Sequence, residues 1–129
     1  MSGLTENAIT KVETVAGVDM QTAQKNDLYT VPVGKVFYPV MVVVRDPSAT
    51  LVGGSDYDFG TGVNADTWRQ AVSLVSMTTL GTDFMVIDGE DVTKYKECAA
   101  GDVFGVKVIT GSTGAATTTI DVFGYLVDA

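Results

Sequence analysis

The chain has 129 residues, 46% hydrophobic and 19% charged, which suits one ordinary domain with a real core and no need of disulfides. Its formal net charge of −8 repels phosphate backbones and anionic lipid, and no lysine- or arginine-rich run offsets that field locally; nucleic acid and membranes are poor partners. Histidine is absent, which removes the usual general base and the commonest catalytic metal ligand, so an enzyme is not expected.

Met1 to Thr14 has neither a basic n-region nor an apolar h-region, so no secretory signal is expected. Residues 1–20 read as an N-terminal arm or edge strand, with a polar stretch, Ser2 to Asn7, before an alternating run from Ile9 to Val15. Residues 21–129 read as the globular domain. Pro32 and Gly34 mark a turn after Leu28 to Val31. A strand then runs from Val36 to Arg45, in which Pro39 marks an edge or a bulge because it cannot donate to a ladder. In Asp56-Tyr57-Asp58-Phe59 the aromatics share one face and the carboxylates the other.

Asn64 to Met77 is ambiguous. Asn64 to Thr67 could cap a short helix, but a strand with Trp68, Gln70, Val72 and Leu74 on one side is preferred. Short strands are expected at Phe84 to Ile87 and at Lys94 to Cys98. Val103 to Thr110 aligns Phe104, Val106 and Val108; Thr117 to Val127 sets Ile120, Val122 and Leu126 against Phe123, Tyr125 and Val127. Many short strands with evenly spaced turns predict an all-β sandwich or barrel.

Little in the chain can do chemistry. Asp56 and Asp58, about 6.6–6.8 Å apart along a strand, read first as a solvated face and second as a calcium site. Asp88 to Asp91 lacks the spacing of a calcium loop and reads as a turn. The glycines of "VGGSDYDFGTGV" are not followed by the Gly-Lys-Ser/Thr of a phosphate loop. Cys98, the single cysteine, has no neighbouring base and reads as an apolar filler. No cofactor is implied. Trp68, beside Arg69 and a polar loop, is the aromatic best suited to meet a partner or a glycan.

Val36 to Val44 is apolar on both faces: Phe37, Pro39, Met41 and Val43 against Val36, Tyr38, Val40, Val42 and Val44. A sandwich has one core, so the second face needs another cover, and symmetric self-association supplies one. Tyr38, Val40, Phe123 and Tyr125 are therefore expected at an oligomer interface.

"LYTVPVGKVFYPVMVVVRD", residues 28–46, resembles a stretch recurring in structural proteins of tailed bacteriophages. "AAGDVFGVKVITG" and "TTTIDVFGYLVD", residues 99–111 and 117–128, are similar to the closing strand pair of trimeric jelly rolls, among them phage head decoration proteins. The resemblance implies an antiparallel jelly-roll β-sandwich with a short N-terminal arm. It leaves decoration protein, head fibre and tail component open as virion roles, and implies first a homotrimeric cement protein on the capsid exterior, made in the host cytoplasm, with the major capsid protein as partner and the closing strands near the threefold axis. A carbohydrate-binding jelly roll on a virion surface, serving host attachment, is the alternative, and a small enzyme stands third.

Overall fold

The computed structural model describes residues 8–91 and 94–129. Within them lie eight strands and no helix: β1 Thr10–Asp19, β2 Lys25–Thr30, β3 Lys35–Arg45, β4 Asp56–Gly60, β5 Arg69–Val72, β6 Phe84–Asp88, β7 Val103–Thr110 and β8 Thr117–Asp128. They form two antiparallel four-stranded sheets, sheet A ordered β1-β8-β3-β6 and sheet B ordered β2-β7-β4-β5. The protein is an antiparallel β-sandwich. β1 is an edge strand of sheet A, and Val18 and Met20 at its end are buried in the core. The stretch Ser2 to Asn7 lies outside the described residues.

The core forms where the two sheets face each other. Tyr57 and Phe59 of β4 and Phe104, Val106 and Val108 of β7 meet Phe37, Val42 and Val44 of β3 and Ile120 and Val122 of β8, all buried. Edge-to-face contacts knit the aromatics: Tyr29 to Phe37 at 5.2 Å, Phe37 to Phe104 at 6.3 Å, and Trp68 to Phe104 at 5.5 Å between centroids. The Tyr57 hydroxyl donates to the Met20 carbonyl at 2.8 Å, which satisfies the one polar atom this ring carries into the core. Burial pushes its pKa up to about 12.

Three sequence expectations need correction. In β3 the register slips by one residue between Pro39 and Met41, leaving Val40 as a bulge. Phe37 and Pro39 therefore point inward with Val42 and Val44, while Tyr38, Met41 and Val43 point outward. The two faces exchange members halfway along the strand. Second, residues 94–98 are not a strand. Phe37 and Cys98 exchange backbone hydrogen bonds of 2.9 and 2.8 Å, and the pairing stops there. On that side the next donor along β3 would be residue 39, a proline without an N–H. Third, residues 64–77 contribute only the four-residue β5. Trp68, Val72 and Leu74 are buried, but Gln70 is exposed, because Ala71 takes a φ of 56° and breaks the alternation. The Asp58 carboxylate holds that kink by accepting from Ala71 N–H at 2.9 Å.

Candidate functional site

The two outer faces of the sandwich are unlike. Sheet B presents charges: Asp56 and Asp58 on β4 and Lys107, paired with Lys25, across β7 and β2. Sheet A presents apolar rows running across its strands. Phe123 pairs with Met41, Asp121 with Val43 and then Val86, and Thr119 with Arg45 and then Phe84. Phe84 is 65% exposed and Val86 48%. Further along the sheet Tyr38 pairs with Tyr125, and the Tyr95 ring stands edge-on to both at 6.3 and 5.6 Å. The Tyr38 hydroxyl donates to the Glu97 carboxylate at 3.2 Å. A solvated sheet should alternate polar with apolar; this one carries aromatics and aliphatics outside as well as inside.

One polar group is set into that face. Asp121 is 6% exposed, accepts from Arg45 Nε at 2.8 Å and Nη2 at 3.3 Å, and takes the Thr14 hydroxyl at 2.7 Å. These bonds tie β1, β8 and β3 together on their outer side. Sequence reasoning missed the residue; the signal was a charge between Ile120 and Val122 in mid-strand. The Arg45 hydrogen bond holds the Asp121 carboxyl below the usual range, against the opposing effect of its burial. The folded pKa lies below the unfolded value of about 3.9, so this stabilisation is complete above about pH 4. It is lost as pH falls through the folded value. Urea denaturation of Asp121→Asn should show a protein weaker than wild type by about 1–3 kcal/mol at pH 7, the two converging as the pH falls through the folded value of Asp121.

The sequence-derived site residues fall into two groups. Tyr38, Phe123 and Tyr125 lie half-exposed on the outer face of sheet A. Val40, at the bulge, turns aside and borders a cleft of about 190 Å³ at the β6 end of the sheet. Trp68 also borders this cleft but is 4% exposed, its ring packed on Phe104, so it is no open stacking platform. Arg69 is half-buried and donates to the Asp88 carbonyl at 3.0 Å, which fastens β5 to the end of β6. Tyr95, which stacks edge-on against Tyr38 and Tyr125 and borders the cleft, joins the two groups.

Asp56 and Asp58 stand side by side on the outer face of sheet B. Desolvation first, and then the Asp58 charge, raise the Asp56 pKa. Among the described residues no third histidine, cysteine or acidic side chain joins them in a metal-binding group. Calcium tests the pair directly. An ion held there raises the melting temperature by mass action, and Asp56→Asn abolishes the rise. Cys98 is buried, and that burial, with Asp102 and Glu97 nearby, pushes its thiol up to about 12. It should stay unmodified by thiol reagents in the native protein at pH 8, and Cys98→Ala should cost no more than about 2 kcal/mol in urea denaturation.

No protein-family model matches the chain, and no curated protein is similar to it in sequence. Its fold is shared with a chain of the acidic stable capsid structure of Helicobacter pylori bacteriophage KHP30. The match has a TM-score of 0.54 at 9% sequence identity and covers 95% of this chain and 99% of that one.

Proposed function

We propose that the chain is a non-enzymatic structural protein of a bacteriophage virion: a decoration, or cement, protein that binds the major capsid lattice from outside as a symmetric trimer and stabilises the head. The observation that carries the reading is the asymmetry of the sandwich. Sheet B turns charges outward, while sheet A turns out Phe123, Met41, Val43, Val86 and Phe84, a face that asks for a protein cover. Three copies of the same patch, with Tyr38, Val40, Phe123 and Tyr125 near the threefold axis, would provide one. The strand order supports the jelly-roll reading, since every pair of consecutive strands except β4 and β5 is divided between the sheets. The fold likeness to a chain of a phage capsid supports placement on a virion.

Such a role needs a rigid body and a complementary foot rather than catalysis. The experiment has two arms. Light scattering at micromolar concentration should give three times the 13.5 kDa of the chain, and the protein should co-sediment with empty heads and raise their melting temperature. A monomer that leaves heads unchanged would overturn the proposal.

A further inference from the structure

The strands of both sheets alternate in direction, so the β1–β2, β3–β4, β5–β6 and β7–β8 connections gather at one end of the sandwich. These are residues 20–24, 46–55, 73–83 and 111–116. Only Asp46 and Asp83 in them are charged, in a chain that carries 16 acidic and 8 basic residues. Both are already engaged: Asp46 with Arg45 at 2.6 Å, and the Asp83 carboxylate with the backbone N–H groups of Thr78 and Thr79 at 2.8 Å. The connections at the opposite end hold Asp66, Glu90, Lys94, Lys96, Glu97 and Asp102.

The uncharged end is also braced. Leu51 N–H donates to the Met77 carbonyl, Leu74 N–H to that of Gly54 and Thr113 N–H to that of Val52, each at 2.9 Å, and Ser112 N–H donates to the Met20 carbonyl at 3.0 Å. Every connection is thereby bonded to another, and Met20, Leu51, Leu74, Met77 and Ala116 are buried beneath them. Gly53, with a φ of 88°, and Gly111 permit this closeness. A Cβ would stand 2.3 Å from Thr113 Oγ1 at the first and 2.3 Å from the Gln21 carbonyl oxygen at the second. From this frame Val52, Val75 and Leu80 project, between 41% and 59% exposed, and Phe84 at the start of β6 links them to the outer face of sheet A. Aliphatic side chains held out on a fixed, uncharged frame lose little freedom and little solvation when a protein surface covers them. A body of net charge −8 meets any partner that is not basic most cheaply where it carries no free charge. We propose that this end is the foot, docking on an uncharged, partly apolar protein surface on the outside of the capsid lattice; the inference rests on the cement reading above and adds the surface that makes the contact. A threefold axis running along the strands of sheet A sets three such tips side by side on the lattice. At the opposite end Val33 and Val63 are exposed as single residues on separate connections, Val33 beside the Lys35–Asp128 ion pair, and form no such frame.

Val52→Glu and Leu80→Glu at this end, and Val33→Glu at the other, would be compared with wild type by light scattering and by co-sedimentation with empty heads. All three side chains are exposed, so circular dichroism, melting temperature and particle mass should match those of wild type. Head binding should weaken by about tenfold or more in Val52→Glu and in Leu80→Glu, and stay within about twofold in Val33→Glu. Wild-type binding by folded Val52→Glu and Leu80→Glu overturns the foot and leaves the cement reading standing. A fall in particle mass in either variant overturns it too, since this end would then be a contact between copies. So does a loss of binding confined to Val33→Glu, which would move the contact to the opposite end. Wild-type protein that does not bind heads overturns the cement reading, and the foot with it.

Discussion

Gly124→Val is expected to abolish stable folding, and Gly124→Ala to cost several kcal/mol. Gly124 lies in the middle of β8, opposite Pro39 of β3, and its missing side chain is replaced by its neighbour. A Cβ there would fall 2.2 Å from the Tyr38 carbonyl oxygen and 2.6 and 2.9 Å from two Phe37 ring carbons. The carbonyl is held in the β3–β8 ladder. The ring is held by edge contacts with Tyr29 and Phe104. Neither can give way without separating the strands or expelling Phe37 from the centre of the core. Overpacking in a closed core costs about 1–3 kcal/mol, and loss of a large buried aromatic about 3–5. Against a total stability of about 5–15 kcal/mol, valine, with two further methyl groups, should leave no cooperative transition in urea. A Gly124→Ala protein within 0.5 kcal/mol of wild type would show that the Phe37 ring does not occupy that space.

Gly124 also shows where sequence reasoning stops. The period-2 pattern located β4, β7 and β8 and sorted their faces, because in those strands each side chain reports its own environment: Tyr57 and Phe59 in, Asp56 and Asp58 out; Ile120 and Val122 in, Phe123 and Tyr125 out. It gave wrong faces for half of β3, because a bulge at Val40 moves every later residue to the opposite side without altering composition. It extended a strand through Lys94 to Cys98 because nothing within that segment reveals that its would-be partner is a proline. The outward apolar face of sheet A was legible as two-sided greasiness. Its polar inset was not, since Asp121 gains meaning only from Arg45, 76 positions away, and from Thr14, 107 positions away. The cleft is of the same kind: Val40, Trp68 and Tyr95, which line it, come from three separate segments.

If the chain forms the proposed trimer, Phe123→Asp should dissociate it while leaving the sandwich folded. Phe123 sits half-exposed on the outer face of sheet A, between Lys11 of β1 and Met41 of β3, and contributes nothing to the layer between the sheets. That layer is filled from β8 by Ile120 and Val122, which the substitution does not touch. In a lone subunit the new carboxylate therefore meets water and has Lys11 as its cross-strand neighbour, so the far-ultraviolet spectrum should be retained and the melting temperature little changed. In a closed trimer the same carboxylate enters a desolvated contact three times over. Large aromatics carry a disproportionate share of interface energy, and an unpaired buried charge adds a cost of several kcal/mol per site. Light scattering should then report 13.5 kDa at micromolar concentration. Head binding should fall with it, because a single foot lacks the effective concentration that three linked feet provide, a difference of roughly 10²-fold or more. A Phe123→Asp protein that remains trimeric would remove this face from the interface. A monomeric one that still binds heads at full strength would separate capsid binding from trimerisation, and the apolar face of sheet A would then be the surface that meets the capsid itself.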